Sequence, residues 1–267
     1  MAEGGIEAAE QEARWLVLSS AGVDGGGWPD DSPAIGDRRL AVAEGLAHRR
    51  VAGEPLQYLT GVAGFRYLEL AVGPGVMVPR PETEVVTEYA LERLPSGGVV
   101  VDCGTGSGAI ALAIAHERPD VTVFATERSA SALAWAEKNS SAHGLEIHLV
   151  ACDLLSGLPD ALKHSVDVVV SNPPYVATSE RELLPRDVVE HEPHEALFAG
   201  PHGLDVIRRL IDEAPRWLKT GGWLVLEIGE RQAEDVRALL EGRHYVDVEV
   251  HPDLTGKPRI AEARVRR

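Results

Sequence analysis

The chain has 267 residues, 44% hydrophobic and 25% charged, which excludes global disorder and leaves room for one good-sized α/β domain with a small appendage, or two modest domains. Forty-two acidic against 26 basic residues give a formal charge of −16, which argues against a partner gripped through its phosphates. No apolar stretch approaches the roughly 20 residues that cross a bilayer, and Met1 to Glu12 lacks the basic region and apolar core of a secretory signal, so a cytoplasmic protein with no membrane contact is expected.

Ile6, Ala9, Ala13 and Leu16 recur at helical spacing. After the breaker-rich Gly25 to Pro29, so do Leu40, Ala43, Ala47 and Val51, so residues 1–53 are expected to form a small helical domain. From 54 to 78 the pattern changes to short strands broken by glycines, with Phe65 to Leu70 read as one arm of a β-hairpin linker. Pro79-Arg80-Pro81-Glu82-Thr83-Glu84 opens a helix: Pro81 suits the first turn, and Glu82 and Glu84 complement its positive end. Beyond Gly97, strands are expected at Val99–Asp102, Val121–Thr126, Ile147–Val150, Val166–Ser171, Trp223–Ile228, Tyr245–Val250 and Ile260–Val265. Helical patterns separate the first five, as parallel crossovers require, whereas His251 to Arg259 is too short for a crossover and predicts an antiparallel final pair.

Cys103 and Cys152 lie far apart without a second cysteine at ligand spacing and read as small buried hydrophobes. The histidines show no zinc spacing, so no metal is assigned. Lys257, Arg259, Arg264, Arg266 and Arg267 form the one basic cluster, read as a solvated last strand.

Asp102-Cys103-Gly104-Thr105-Gly106-Ser107-Gly108 follows the first sheet strand and precedes the helix Ala109 to His116. Glycines there admit a ligand close to the backbone, and the helix start offers N–H donors. The pattern alone fits dinucleotide binding, S-adenosylmethionine binding or a plain strand-to-helix turn. Glu127, nineteen positions after Gly108, stands where an acid accepts hydrogen bonds from both ribose hydroxyls, which suits NAD and S-adenosylmethionine equally. Asp153, with Leu154 beside it, offers an acceptor for an adenine amino group or a helix cap.

Asn172-Pro173-Pro174-Tyr175, directly after the fourth of these strands, separates the cofactors. Two prolines fix two φ angles and remove two donors, so the loop presents carbonyls and the Asn172 amide rigidly. The Asn172 side-chain oxygen and the Pro173 carbonyl can each accept one N–H of a planar NH2 group, and Tyr175 offers a flat wall. Hydride transfer needs a proton donor that this loop lacks. Methyl transfer to nitrogen instead needs the nitrogen held in line with its lone pair available.

Gly104 to Gly108, Glu127, Asn172 to Tyr175, Pro79 to Glu84, and Glu192-Pro193 followed by Ala196-Leu197 together resemble the release-factor glutamine methyltransferases, the HemK/PrmC family. The resemblance implies a seven-stranded, mostly parallel Rossmann-like methyltransferase sheet over residues 79–267 with the last strand antiparallel, preceded by the helical domain, which docks the substrate protein, and the hairpin linker. It implies S-adenosylmethionine as cofactor, S-adenosylhomocysteine as product, and class I peptide chain release factors as the protein substrate, methylated on the amide of the glutamine in a Gly-Gly-Gln loop. By the same resemblance Gly104, Thr105, Gly106, Ser107, Gly108, Glu127, Leu154 and Asn172 contact the cofactor, and Asn172, Pro173, Pro174 and Tyr175 the glutamine. Three departures stand out: the acid after the second of these strands is usually aspartate, so Glu127 is one methylene longer; Cys103 replaces a common leucine; and the N-terminal region matches only loosely.

Asn-Pro-Pro-Tyr also occurs in DNA adenine methyltransferases, which flip a base and grip phosphates; the acidic charge and the lack of a basic recognition domain count against that reading. A glutamine methyltransferase acting on a ribosomal protein shares the chemistry and is the nearer rival. A cofactor-binding scaffold without turnover is a third reading, disfavoured by the intact Asn172 and Tyr175.

Overall fold

The computed structural model describes residues 1, 6, 8–22 and 36–266; the Gly25 to Pro29 stretch and Arg267 lie outside them. Helices α1 (Ala9–Ala21) and α2 (Asp37–Val51) pack on one another with Leu16 and Ala43 buried, followed by the short α3 (Leu56–Thr60). Arg50, in the last turn of α2, pairs with Glu12 of α1 at 2.7 Å and reaches Asp187 at 3.5 Å.

The hairpin is complete within β1 (Val62–Phe65) and β2 (Leu68–Ala71), with Phe65 opposite Leu68. Phe65 to Leu70 is therefore the turn and its flanks, not one arm. Arg66 takes φ 51° in that turn, and its guanidinium is anchored to Glu117 at 2.5 and 2.7 Å. Helix α4 (Pro81–Arg93) starts with Pro81 in its first turn and Arg80 extended before it, where the missing proline N–H costs no helical bond.

Seven strands, β3 (Val99–Cys103), β4 (Thr122–Glu127), β5 (His148–Ala151), β6 (Val166–Ser171), β7 (Leu218–Glu227), β8 (Tyr245–Pro252) and β9 (Pro258–Val265), form one sheet in the order β5-β4-β3-β6-β7-β9-β8. Pairings among β3 to β7 are parallel, and β9 runs antiparallel to both its neighbours, β7 and β8. The last strand is interior: β9 inserts between β7 and β8, so the basic run is not a solvated edge. Three of its charges are met by acids, Lys257 by Glu230, Arg259 by Asp253 and Arg264 by Asp247, while Lys257 and Arg266 stay exposed. Strand β7 starts five residues before the expected Trp223, because Gly221-Gly222 lies within it at a register shift against β6 instead of ending it.

Side chains alternate across the sheet, giving two cores. Val100, Val168 and Val170 face α4 and α5 (Ala109–Glu117), whose residues Ala109 to Ile114 are all apolar and buried; Val101 and Val169 face α9 (Asp205–Glu213) and α10 (Ala233–Glu241). Helix α6 (Ala130–His143) lies beside α5. Between β6 and β7 the chain also forms α7 (Arg186–His191) and α8 (His194–Leu197). The chain leaves β3 toward β4 and β5, then returns to β6 on the other side of β3, and this reversal opens a crevice at the carboxyl ends of those strands.

The buried Asn139 of α6 ties that crevice to the hairpin: its Oδ1 accepts from Ala71 N at 2.7 Å, and its Nδ2 donates to Ala71 O at 3.0 Å and Ser107 O at 2.9 Å. Asn139→Ala leaves these groups unpaired, and a urea titration is expected to show a loss of about 2–3 kcal/mol.

No helix among the described residues is long and apolar enough to cross a membrane. Cys103 is buried and Cys152 half-buried, both as free thiols.

Candidate active site

The crevice holds a cavity that is open to solvent and spans about 1030 Å³ with its mouth included. Gly104, Thr105, Gly106, Ser107, Glu127, Asp153, Leu154, Asn172 and Pro174 all line it, so sequence positions spread over 70 residues converge on one surface. Gly108 does not. It caps α5 at φ 88°, and a Cβ there would press on Leu112, so its role is packing rather than cavity lining.

The loop amides do not form an open anion cradle. Gly104 N and Thr105 N donate to Thr126 O at 2.8 and 3.0 Å, Gly108 N donates to Thr105 O at 2.9 Å, and Gly106 N donates to Glu127 Oε2 at 3.0 Å. Glu127 Oε1 accepts from Arg128 N and Ser129 N, both at 2.8 Å. A carboxylate held against the loop repels a pyrophosphate and suits hydroxyl groups or a cation, because each of its oxygens accepts more than one hydrogen bond. The loop's shape is set from beneath by Asp102, whose Oδ2 accepts from Thr105 Oγ1 at 2.6 Å and Ala111 N at 3.1 Å. Burial pushes the Asp102 carboxyl up to about 7. At the far rim Asp153 is paired with Arg209 at 2.6 Å, a partner that sequence spacing did not indicate. Its other oxygen has no bond to Arg209 and is available to an amino group.

A second cavity, open to solvent and spanning about 920 Å³ with its mouth included, lies beyond the first and is lined by Pro173 and Tyr175, together with Leu184, Asp187 and Val188 from the connection before α8. Asn172, Pro174, Met77 and Ala196 line both cavities and form the wall between them. The Asn172 amide has a defined orientation: Nδ2 donates to Thr83 Oγ1 at 3.0 Å, which leaves Oδ1 as its acceptor. Thr83 donates in turn to Glu227 Oε2 at 2.6 Å, and Tyr175 OH donates to Glu227 Oε1 at 3.1 Å. Glu227, at the end of β7, is 1% exposed. Burial pushes the Tyr175 hydroxyl well above its ordinary range, with the neighbouring Glu227 charge acting in the same direction.

The loop is braced from behind. Gln232 Nε2 donates to Tyr175 O at 2.9 Å and Gly203 O at 3.2 Å, and Val176 pairs with the segment after α8 through Val176 N to Leu197 O at 2.9 Å and Ala199 N to Val176 O at 3.0 Å. Gly203 has φ 68°, and a Cβ there would overlap the Tyr175 carbonyl. Gly203→Ala is expected to displace the loop and lower any turnover at the second cavity about tenfold or more, while ligand affinity at the first cavity, read by calorimetry, stays near wild type. Arg80 and the buried Glu192, both from segments singled out in the sequence, form an ion pair beside the second cavity.

Residues 74–194 match the family model described as Methyltransferase small domain, and residues 1–61 match that of the PrmC N-terminal domain. A protein named release factor glutamine methyltransferase from Geobacter sulfurreducens is 38% identical over 266 residues, covering 99% of this chain and 93% of its own. One of the same name from Streptomyces coelicolor is 43% identical over 269 residues, covering 99% and 94%. In fold, the chain is similar to a methyltransferase from Pyrococcus furiosus, with TM-score 0.57 at 19% identity, covering 74% of this chain and 89% of that one. It is also similar to an O-methyltransferase from Thermotoga maritima, with TM-score 0.50 at 16% identity and coverage of 72% and 67%.

Proposed function

The chain belongs to the release factor glutamine methyltransferase family, and from that membership we propose that it transfers a methyl group from S-adenosylmethionine to the side-chain amide nitrogen of the glutamine in the Gly-Gly-Gln motif of class I release factors. The observation that carries the reading is the wall of Asn172 and Pro174 shared by two adjoining cavities. One cavity takes the cofactor and the other the glutamine. The cofactor fits the first by its donor set: Glu127 meets the ribose hydroxyls, Asp153 and Leu154 the adenine, and the amides of Gly104, Thr105, Gly106 and Gly108 are already engaged within the protein.

S-adenosylmethionine, when bound, supplies an electrophilic methyl carbon on a sulfonium. The protein's task is to present a nitrogen whose lone pair is ordinarily delocalised into its carbonyl. Asn172 Oδ1 and the Pro173 carbonyl each accept one N–H of the glutamine amide, which orients it and raises electron density on the nitrogen. Tyr175 gives its plane a wall. No strong base is required, because an amide that has used its lone pair is acidic enough to release its proton to water.

We assign substrate docking to residues 1–53, the linker to 54–78 and transfer to 79–267. Arg50 of α2 supports this by reaching Asp187, a residue of the second cavity. The protein is assigned to the cytoplasm, where release factors act. The ribosomal-protein and DNA readings are separated from this one by a competition assay. Labelled S-adenosylmethionine is offered with a release factor, total ribosomal protein and adenine-containing DNA. Label is expected in the release factor; label confined to ribosomal protein or DNA would overturn the assignment.

A further inference from the structure

We propose that Glu227 is a positioning residue that fixes the direction of the Thr83 and Tyr175 hydroxyl hydrogen bonds and, through Thr83, obliges the Asn172 amide to offer its oxygen to the substrate. The inference rests on the methyl-transfer reading above and extends it to Glu227, which lines neither cavity.

An ionised carboxylate only accepts hydrogen bonds. With Glu227 buried and charged, Thr83 must point its single hydroxyl proton at Oε2, 2.6 Å away, and Tyr175 its own at Oε1, 3.1 Å away. The Thr83 oxygen then has only lone pairs left for Asn172, 3.0 Å away, so the amide must turn Nδ2 toward it. Oδ1 is the atom that remains for an incoming N–H. Were the direction reversed, Asn172 would present donors to a group that itself carries two donors, and the amide would be rejected. Thr83 is 4% exposed, so water cannot readily reset its proton.

The charged groups facing Glu227 come from three sides. Glu82 lies on α4 beside Thr83, Tyr175 on the loop, and Arg259 on β9. Burial raises the Glu227 carboxyl to about 7; the Thr83 and Tyr175 bonds and the Arg259 charge oppose the rise, and Glu82 adds to it. An acid with a raised value is neutral below that pH and ionised above it. The directing form therefore grows as pH increases through neutrality, and turnover grows with it.

The test is Glu227→Gln, which keeps the shape but replaces one acceptor with a donor. Its expected results are a kcat lowered about 10-fold to 100-fold, loss of the acidic limb of the kcat–pH profile, and cofactor affinity near wild type. Thr83→Ser, which keeps the hydroxyl, is expected to retain kcat, and Thr83→Val to lose it. A second readout needs no turnover: the Asn172 side-chain amide signal in a 15N spectrum, assigned by its absence in Asn172→Ala. It is expected to titrate through neutral pH in the wild type and to stop titrating in Glu227→Gln. Unchanged kcat and pH profile in Glu227→Gln, or an Asn172 signal that titrates as before, overturns the proposal. If the wild-type chain methylates no release factor, the functional reading fails, and the amide signal alone then decides the role of Glu227.

Discussion

Asn172→Ala is expected to lower methylation of a release factor by on the order of 100-fold or more, with folding and cofactor affinity largely intact. The size follows from what the residue does: its oxygen is one of two acceptors that orient a weakly nucleophilic nitrogen, and no neighbouring side chain can replace it. Asn172 makes one side-chain bond to the protein, to Thr83, and lies at the cavity wall rather than in either core, so its loss disturbs little else. Single-turnover kinetics with circular dichroism on the same sample separate the two effects. Turnover within a few-fold of wild type would remove Asn172 from the chemistry.

Glu127→Ala is expected to weaken cofactor binding about 10-fold to 100-fold, the range for losing hydrogen bonds to a charged acceptor. Two losses combine. The carboxylate no longer meets the ribose, and the amides of Gly106, Arg128 and Ser129 lose the acceptor that shapes the loop around it. Calorimetric titration with S-adenosylmethionine or S-adenosylhomocysteine measures the change directly; an unchanged dissociation constant would place the ribose elsewhere. Glu127→Asp separates the two contributions. The shorter acid retains the charge but draws back from Gly106, so an intermediate affinity is expected.

Much of the scaffold was legible because its signals are local. Val166-Asp167-Val168-Val169-Val170-Ser171 reads as a doubly buried parallel strand, and β6 has those bounds. The glycine loop and the Asn172 to Tyr175 segment carry their positions in their spacing. The residues that orient them do not. Thr83 bonds to Glu227 across 144 positions and to Asn172 across 89, and a lone buried glutamate ending a strand gives no sequence sign of either bond. Asn139 and Arg209 were missed for the same reason, since each looks like an ordinary helix residue until the chain is folded.

Local errors had local causes. The hairpin turn at Arg66-Tyr67 has neither Gly nor Asn, and only Arg66 at φ 51° supplies the reversal, so the run from Phe65 to Leu70 looked continuous. The basic run suggested a solvated last strand, and Lys257 and Arg266 are exposed, but the strand itself is interior, with Ile260, Ala261 and Ala263 fully buried and β9 lying between β7 and β8.

The claim that joins these observations is that the Asn172 loop presents a glutamine amide nitrogen to a methyl donor. Its most direct test is incubation of the purified chain with isotopically labelled S-adenosylmethionine and a class I release factor, followed by tandem mass mapping of the product. The account predicts a single labelled methyl on the side-chain amide of the Gly-Gly-Gln glutamine, absent with Asn172→Ala. A methyl on any other residue, or an equal yield with Asn172→Ala, would contradict it.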